Sequence, residues 1–216
     1  MTADETSTTP SEHKRTSRVL LIRHGQTEWS LTDRHTGRTD IALTPRGEQD
    51  ARALVGIAER LGLVEPYVFA SPRRRAQRTA ELAGLDVDEV DPAFAEWDYG
   101  DYEGLTRAQI HADHDPQWAV WTSGAPHGES VEQMTSRVDS AVDRVERRLA
   151  TSDVIVVSHG HFSRSFVCRF LGWPIHQGAD IDLRPAGAAL LIVLGTDRRL
   201  STLVGPEGAA ATHASI

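Results

Sequence analysis

Three short apolar runs, RVLLIRH at 18–24, YVFAS at 67–71 and DVIVVSH at 153–159, each give way to residues that open a helix. This alternation limits the fold more than any other feature. Runs of this length suit strands buried on both faces, and strands alternating with helices imply a mainly parallel sheet. Thr44-Pro45 opens a helix expected to reach about Leu61, and Ser71-Pro72 opens another through RRRAQRTAELAG. Ser130 and Gln133 form a capping-box pattern ahead of a long amphipathic helix. Its apolar positions Val131, Met134, Val138, Ala141, Val145 and Leu149 recur every three or four residues. A helix over about 162–171 follows the third run, and GAALLIVLG and RLSTLVG form a closing hairpin across TDRR. The expected class is therefore α/β, a three-layer sandwich with helices on both faces of a mainly parallel sheet that has one antiparallel edge.

A chain of 216 residues supports one substantial core, expected over 18–204, between polar tails at 1–17 and 205–216 that read as flexible. The net charge of -8 argues against a nucleic-acid partner, which calls for a basic surface. No stretch has the length of a membrane span and the opening residues lack the apolar core of a secretory signal, so no membrane partner and a cytoplasmic location are expected. One cysteine, Cys168, makes neither an internal disulfide nor a cysteine zinc site, and its apolar neighbours mark it as packing. His111 and His114 in HADHD have a spacing that could bind a metal but lack a third ligand, so they read as solvated surface, and no metal or cofactor is expected.

Ligands of such sheets sit at the carboxyl ends of the strands. Three of those ends read Arg23-His24-Gly25, Ala70-Ser71-Pro72-Arg73-Arg74-Arg75 and Ser158-His159-Gly160. Taken singly, Arg73, Arg74 and Arg78 read as a solvated helix face and His159 as a satisfied core histidine. Together the three ends make a phosphate site. Guanidinium groups grip phosphate oxygens in pairs. A helix opening after Gly160 would add backbone donors to the same anion. A neutral histidine among them could attack phosphorus and hold the phosphoryl group covalently.

LIRHGQTEW, SPRRRAQRTA, FAEWDYGDYEG and VVSHGHF, in that order, resemble the histidine phosphatase superfamily, which includes cofactor-dependent phosphoglycerate mutases and many phosphatases. The resemblance runs from Arg18 to about Val204 and implies a phosphoglycerate mutase-like fold. It implies that His24 is the nucleophile, that Arg23 and Arg75 clamp the phosphate, and that His159 and Gly160 contact the transferring group. Glu96 would protonate the leaving oxygen and later activate water, a double duty that calls for a partly buried carboxyl beside Trp97 with a raised pKa. Gly25 would allow a tight turn after the nucleophile. Gln26, Ser30, Thr36 and Gly37 fall where the family keeps substrate contacts, and Glu129 in PHGES falls near the pocket unless that segment serves only to cap the helix.

Mutases of the family carry a long insertion after the acidic residue, whereas only residues 97–158 separate Glu96 from His159 here. Phosphohistidine open to water is hydrolysed, which favours a phosphatase. Ser30 stands where mutases place asparagine, and the motifs look most like the branch of sedoheptulose bisphosphatases and small acid phosphatases. The implied partner is a small-molecule phosphate ester, foremost a sugar phosphate. The alternatives are a cofactor-dependent phosphoglycerate mutase and a non-catalytic phosphate-binding module. Oligomeric state is not legible.

Overall fold

The computed structural model describes residues 15–205. In chain order it contains β1 (Thr16–Arg23), α1 (Glu28–Leu31), α2 (Pro45–Arg52), α3 (Ile57–Arg60), β2 (Tyr67–Ala70), α4 (Arg74–Leu82) and β3 (Glu89–Val90). There follow α5 (Arg107–Asp113), α6 (Val120–Ser123), α7 (Val131–Leu149), β4 (Val154–Ser158), α8 (Gly160–Phe170), β5 (Ala188–Leu194) and β6 (Asp197–Val204). One sheet of six strands runs in the order β3-β2-β4-β1-β5-β6. β3, β2, β4 and β1 run parallel to one another, and β5 and β6 form the antiparallel edge, β5 pairing antiparallel with both β1 and β6.

Successive strand residues point to opposite faces, and the core divides accordingly. Val19 and Leu21 of β1 and Val154 and Val156 of β4 pack under α7 and α8 with Met134, Val138, Phe162 and Phe166. Leu20, Ile22, Ile155 and Val157 face the other way, against Leu54, Ile57, Ala76 and Ala80. This is the expected three-layer sandwich. Cys168 lies in the first of these clusters, and burial pushes its thiol up to about 11.

Four elements depart from the sequence expectation. The helix opened by Thr44-Pro45 ends at Arg52, and a second, α3, begins after Gly56, whose φ of 74° lies in the left-handed region. Helix α4 starts at Arg74 with Arg73 as an N-cap that supplies no side-chain bond, so Ser71 does not cap it. β1 begins at Thr16, two residues inside the expected tail. β3, only two residues long, carried no strand signal. The other residues expected in flexible tails, 1–14 and 206–216, lie outside the described residues. No helix among the described residues is long and apolar enough to cross a membrane.

Candidate active site

Parallel pairing of β1 with β4 and of β4 with β2 brings the carboxyl ends of all three strands to one place. His24 leaves β1 with its amide on the Ser158 carbonyl at 2.9 Å, and Ala186 donates to the His24 carbonyl at 3.0 Å. The imidazoles of His24 and His159 then meet edge to face, 5.2 Å between centroids. Both rings are buried.

The two rings are held differently. His24 Nδ1 lies 2.7 Å from the Gly25 carbonyl, which can only accept, so Nδ1 carries the proton and Nε2 keeps a bare lone pair. Burial, Arg75 and Arg23 hold the His24 pKa well below that of an ordinary histidine. The ring is therefore a neutral base surrounded by cations. His159 has Nε2 at 2.6 Å from Ser71 Oγ, while its Nδ1 is buried and without a partner. Burial, Arg75, His24, Arg73 and Arg23 likewise push its pKa well down.

The arginines are anchored at one end and open at another. Arg23 Nη1 donates to the Leu183 carbonyl at 2.7 Å. Arg75, fully buried, donates to the carbonyls of Thr39 (2.8 Å), Thr36 (2.9 Å) and Gly37 (3.3 Å). The Nε atoms of Arg23, Arg73 and Arg75 are all buried with no partner among the described residues. Buried guanidinium N–H groups without acceptors are costly, and together with His159 Nδ1 they describe a place for an anion. Arg73, which the sequence alone placed on a solvated face, belongs to this set. Arg74 and Arg78 do not: Arg74 is exposed and Arg78 pairs with Glu48 and Glu81.

Glu96 is buried beside Trp97, as expected. Its Oε1 accepts from the amides of Trp97 (2.9 Å) and Phe162 (2.8 Å), and its Oε2 from the amide of His161 (3.0 Å). Two first-turn amides of α8, those of His161 and Phe162, are thus taken by Glu96. Gly160 has another use. A Cβ there would lie 3.1 Å from the Arg23 guanidinium carbon, so glycine gives that side chain its room. Gly25 is likewise a matter of clearance rather than of turn: its φ is not positive, but a Cβ would lie 2.5 Å from the Gly47 carbonyl oxygen.

The expected substrate contacts are largely engaged within the protein. Ser30 Oγ accepts from the Thr27 amide at 2.8 Å, closing a capping box on α1. Gln26 Oε1 accepts from the Thr44 hydroxyl at 2.9 Å. The Gly37 amide donates to Glu103, and the carbonyls of Thr36 and Gly37 hold Arg75, so this loop positions the clamp. Glu129 takes a two-pronged pair from Arg137 (2.7 Å each) and the Asp98 amide (3.0 Å). His111 Nε2 lies 2.8 Å from the Trp118 carbonyl and His114 packs on Tyr102, so the two do not converge on one point.

Three supporting residues escaped the sequence reading. Thr79 Oγ1 accepts from the Gly25 amide at 3.0 Å and donates to the Arg75 carbonyl at 2.7 Å, linking the residue after His24 to Arg75. Glu103 ties down the loop at Gly37 and Thr39. Arg137 also donates to the carbonyls of Ala93 (3.0 Å), Ala95 (2.8 Å) and Glu96 (3.3 Å). Its only sequence signal is a cation between Met134 and Val138, beside the apolar stripe.

Comparison with known proteins gives the geometry a setting. Residues 19–204 match the model of the histidine phosphatase superfamily (branch 1). An acid phosphatase of Mycobacterium tuberculosis is 48% identical over 165 residues, 76% of this chain and 81% of the relative. The sedoheptulose 1,7-bisphosphatase of Saccharomyces cerevisiae is 35% identical over 190 residues, 75% and 70% of the two chains. A solved structure of an open reading frame product of Mycobacterium tuberculosis superposes with a TM-score of 0.84 at 44% identity, covering 88% of this chain and 97% of that one.

Proposed function

The chain belongs to the histidine phosphatase superfamily and is a phosphatase, and we propose that it hydrolyses small-molecule phosphomonoesters, foremost sugar phosphates, through a phosphohistidine on His24 and without a metal ion. The observation that carries this is the bare Nε2 of a neutral, buried His24 beside guanidinium Nε groups that have no partner. A phosphate monoester fits that vacancy of acceptors. Nε2 attacks phosphorus as the bond to the ester oxygen breaks. Glu96 gives its proton to that oxygen, and the alcohol leaves. The Glu96 carboxylate then takes a proton from water, whose oxygen attacks phosphorus and returns the electron pair to Nε2. Arg23, Arg75 and His159 offset the charge on the equatorial oxygens at both steps.

Glu96 fits its part by placement. Its Oε2, with one amide donor against two on Oε1, retains room for a proton. The sugar-phosphate preference draws on the bisphosphatase relative, whose own substrate is a phosphorylated sugar by name.

The test is phosphate release from aryl, sugar, glycerate and amino-acid phosphates with a chelator present, for the native protein, His24→Ala and Glu96→Gln. We expect turnover that survives the chelator, vanishes in His24→Ala and loses its acidic pH limb in Glu96→Gln. Silence across the panel would remove the phosphatase reading, and loss of turnover with the chelator would remove the metal-independent one.

A further inference from the structure

We propose that Ser71 is a positioning residue that holds His159 in its Nδ1–H tautomer, so that this ring donates a hydrogen bond to the phosphoryl group. The proposal rests on the phosphatase function given above for its consequence, though not for its geometry.

Ser71 is wholly buried just past the end of β2, its amide anchored on the Val157 carbonyl at 3.0 Å. Its hydroxyl has two neighbours among the described residues: the Arg73 amide, which donates to Oγ at 3.3 Å, and His159 Nε2 at 2.6 Å. An amide can only donate, so the hydroxyl hydrogen has one acceptor within reach, His159 Nε2. Were Nε2 the protonated atom instead, Ser71 would receive two donors and leave its own hydrogen buried without an acceptor. That arrangement forfeits a hydrogen bond where no water can replace it.

The other end of the ring agrees. His159 Nδ1 has no partner among the described residues and shares its surroundings with the open Nε groups of Arg23, Arg73 and Arg75. A lone pair there would face an arriving anion and repel it. A proton there makes a fourth donor. Protonation of both nitrogens would again strand the Ser71 hydrogen, in keeping with a ring that burial and the arginines keep neutral. The two histidines thus share one tautomer but use it oppositely: His24 spends its Nδ1–H on the Gly25 carbonyl and offers Nε2 as nucleophile, whereas His159 spends Nε2 on Ser71 and offers Nδ1–H as donor.

The experiment is long-range proton–nitrogen correlation on histidine-labelled protein in phosphate-free buffer at neutral pH, with the His159 signals identified by their loss in His159→Gln. In the native protein His159 should show a protonated Nδ1 and an unprotonated Nε2, and inorganic phosphate should move the Nδ1 signal. In Ser71→Ala the proton should shift to Nε2. Its kcat on an aryl phosphate should fall roughly 10- to 100-fold, the range for one lost buried hydrogen bond, with KM little changed. Ser71→Thr, which keeps the hydroxyl, should restore tautomer and rate together. A native His159 protonated at Nε2, or a folded Ser71→Ala with the native tautomer or native kcat, overturns the proposal. The native spectrum decides the matter even if Ser71→Ala does not fold. Because the tautomer is read without substrate, a native protein that releases no phosphate defeats the phosphatase reading while leaving this one to the spectrum.

Discussion

His24 is kept neutral by its neighbours as well as by burial. Desolvation disfavours the imidazolium, and Arg75 and Arg23 add like-charge repulsion. The sign is clear: with its pKa lowered, the ring stays unprotonated, and therefore nucleophilic, at pH values where an ordinary histidine is half charged. Its imidazole resonances should stay flat from pH 7.5 down through 6.5 in buffer without phosphate. Arg75→Ala should move the titration midpoint upward by removing the stronger of the two repulsions. A native midpoint at or above 6.5 would contradict this account of the nucleophile. Sequence identified His24 but could not show which nitrogen is free, because the Gly25 carbonyl that settles it is placed by the path of the backbone.

At the level of elements, the loop that carries Glu96 is held by a helix distant from it in the chain. Arg137 of α7 gives two bonds to Glu129 and three to the carbonyls of Ala93, Ala95 and Glu96, and Trp97 Nε1 donates to the Glu129 carbonyl at 3.0 Å. Arg137 and Glu129 have side chains only 21% and 17% exposed, so the pair is poorly screened and its loss leaves a carboxylate with a single partner. Arg137→Ala should destabilise the protein by about 3 kcal/mol and lower kcat more than KM, because in the proposed mechanism Glu96 acts on the leaving group rather than in binding. Thermal melts and steady-state kinetics read the two effects, and an unchanged kcat would free Glu96 from dependence on this pair. The amphipathic stripe of α7 was legible from its period, and Met134, Val138, Ala141 and Val145 are buried as that period requires. The break between α2 and α3 was not, since a single glycine in a helical pattern is compatible with both continuation and a left-handed stop.

Among the described residues of the molecule, four histidines, His24, His35, His159 and His161, are held below their ordinary pKa, each chiefly by burial. Unfolding releases them to titrate normally, so below about pH 6.5 the unfolded chain binds more protons than the folded one. Their contribution to stability is complete above that pH and is lost as pH falls toward the folded pKa values, at up to about 1.4 kcal/mol per pH unit for each ring. The melting temperature should therefore fall between pH 7 and 5 in buffer without phosphate or sulfate. His161→Phe should decline less steeply despite losing the 2.6 Å contact between His161 Nδ1 and the Tyr99 hydroxyl. Equal slopes would assign the acid sensitivity to other groups. What the sequence alone determined is what depends on local order: the alternation of strand and helix, the antiparallel edge, the capping box of α7, and the motifs that supply two arginines and two histidines at strand ends and an acid between them. What only the tertiary structure decided depends on groups far apart in the chain: the bare Nε2 of His24, Arg73 among the open guanidinium groups, the amides of α8 given to Glu96, Gly25 set by its clearance from Gly47, and Ser71 turned from helix cap to partner of His159. A motif specifies which side chains are present, but a hydrogen bond is made by whichever donor and acceptor the packed chain brings within 3 Å or so, and a buried group must take the partner it finds.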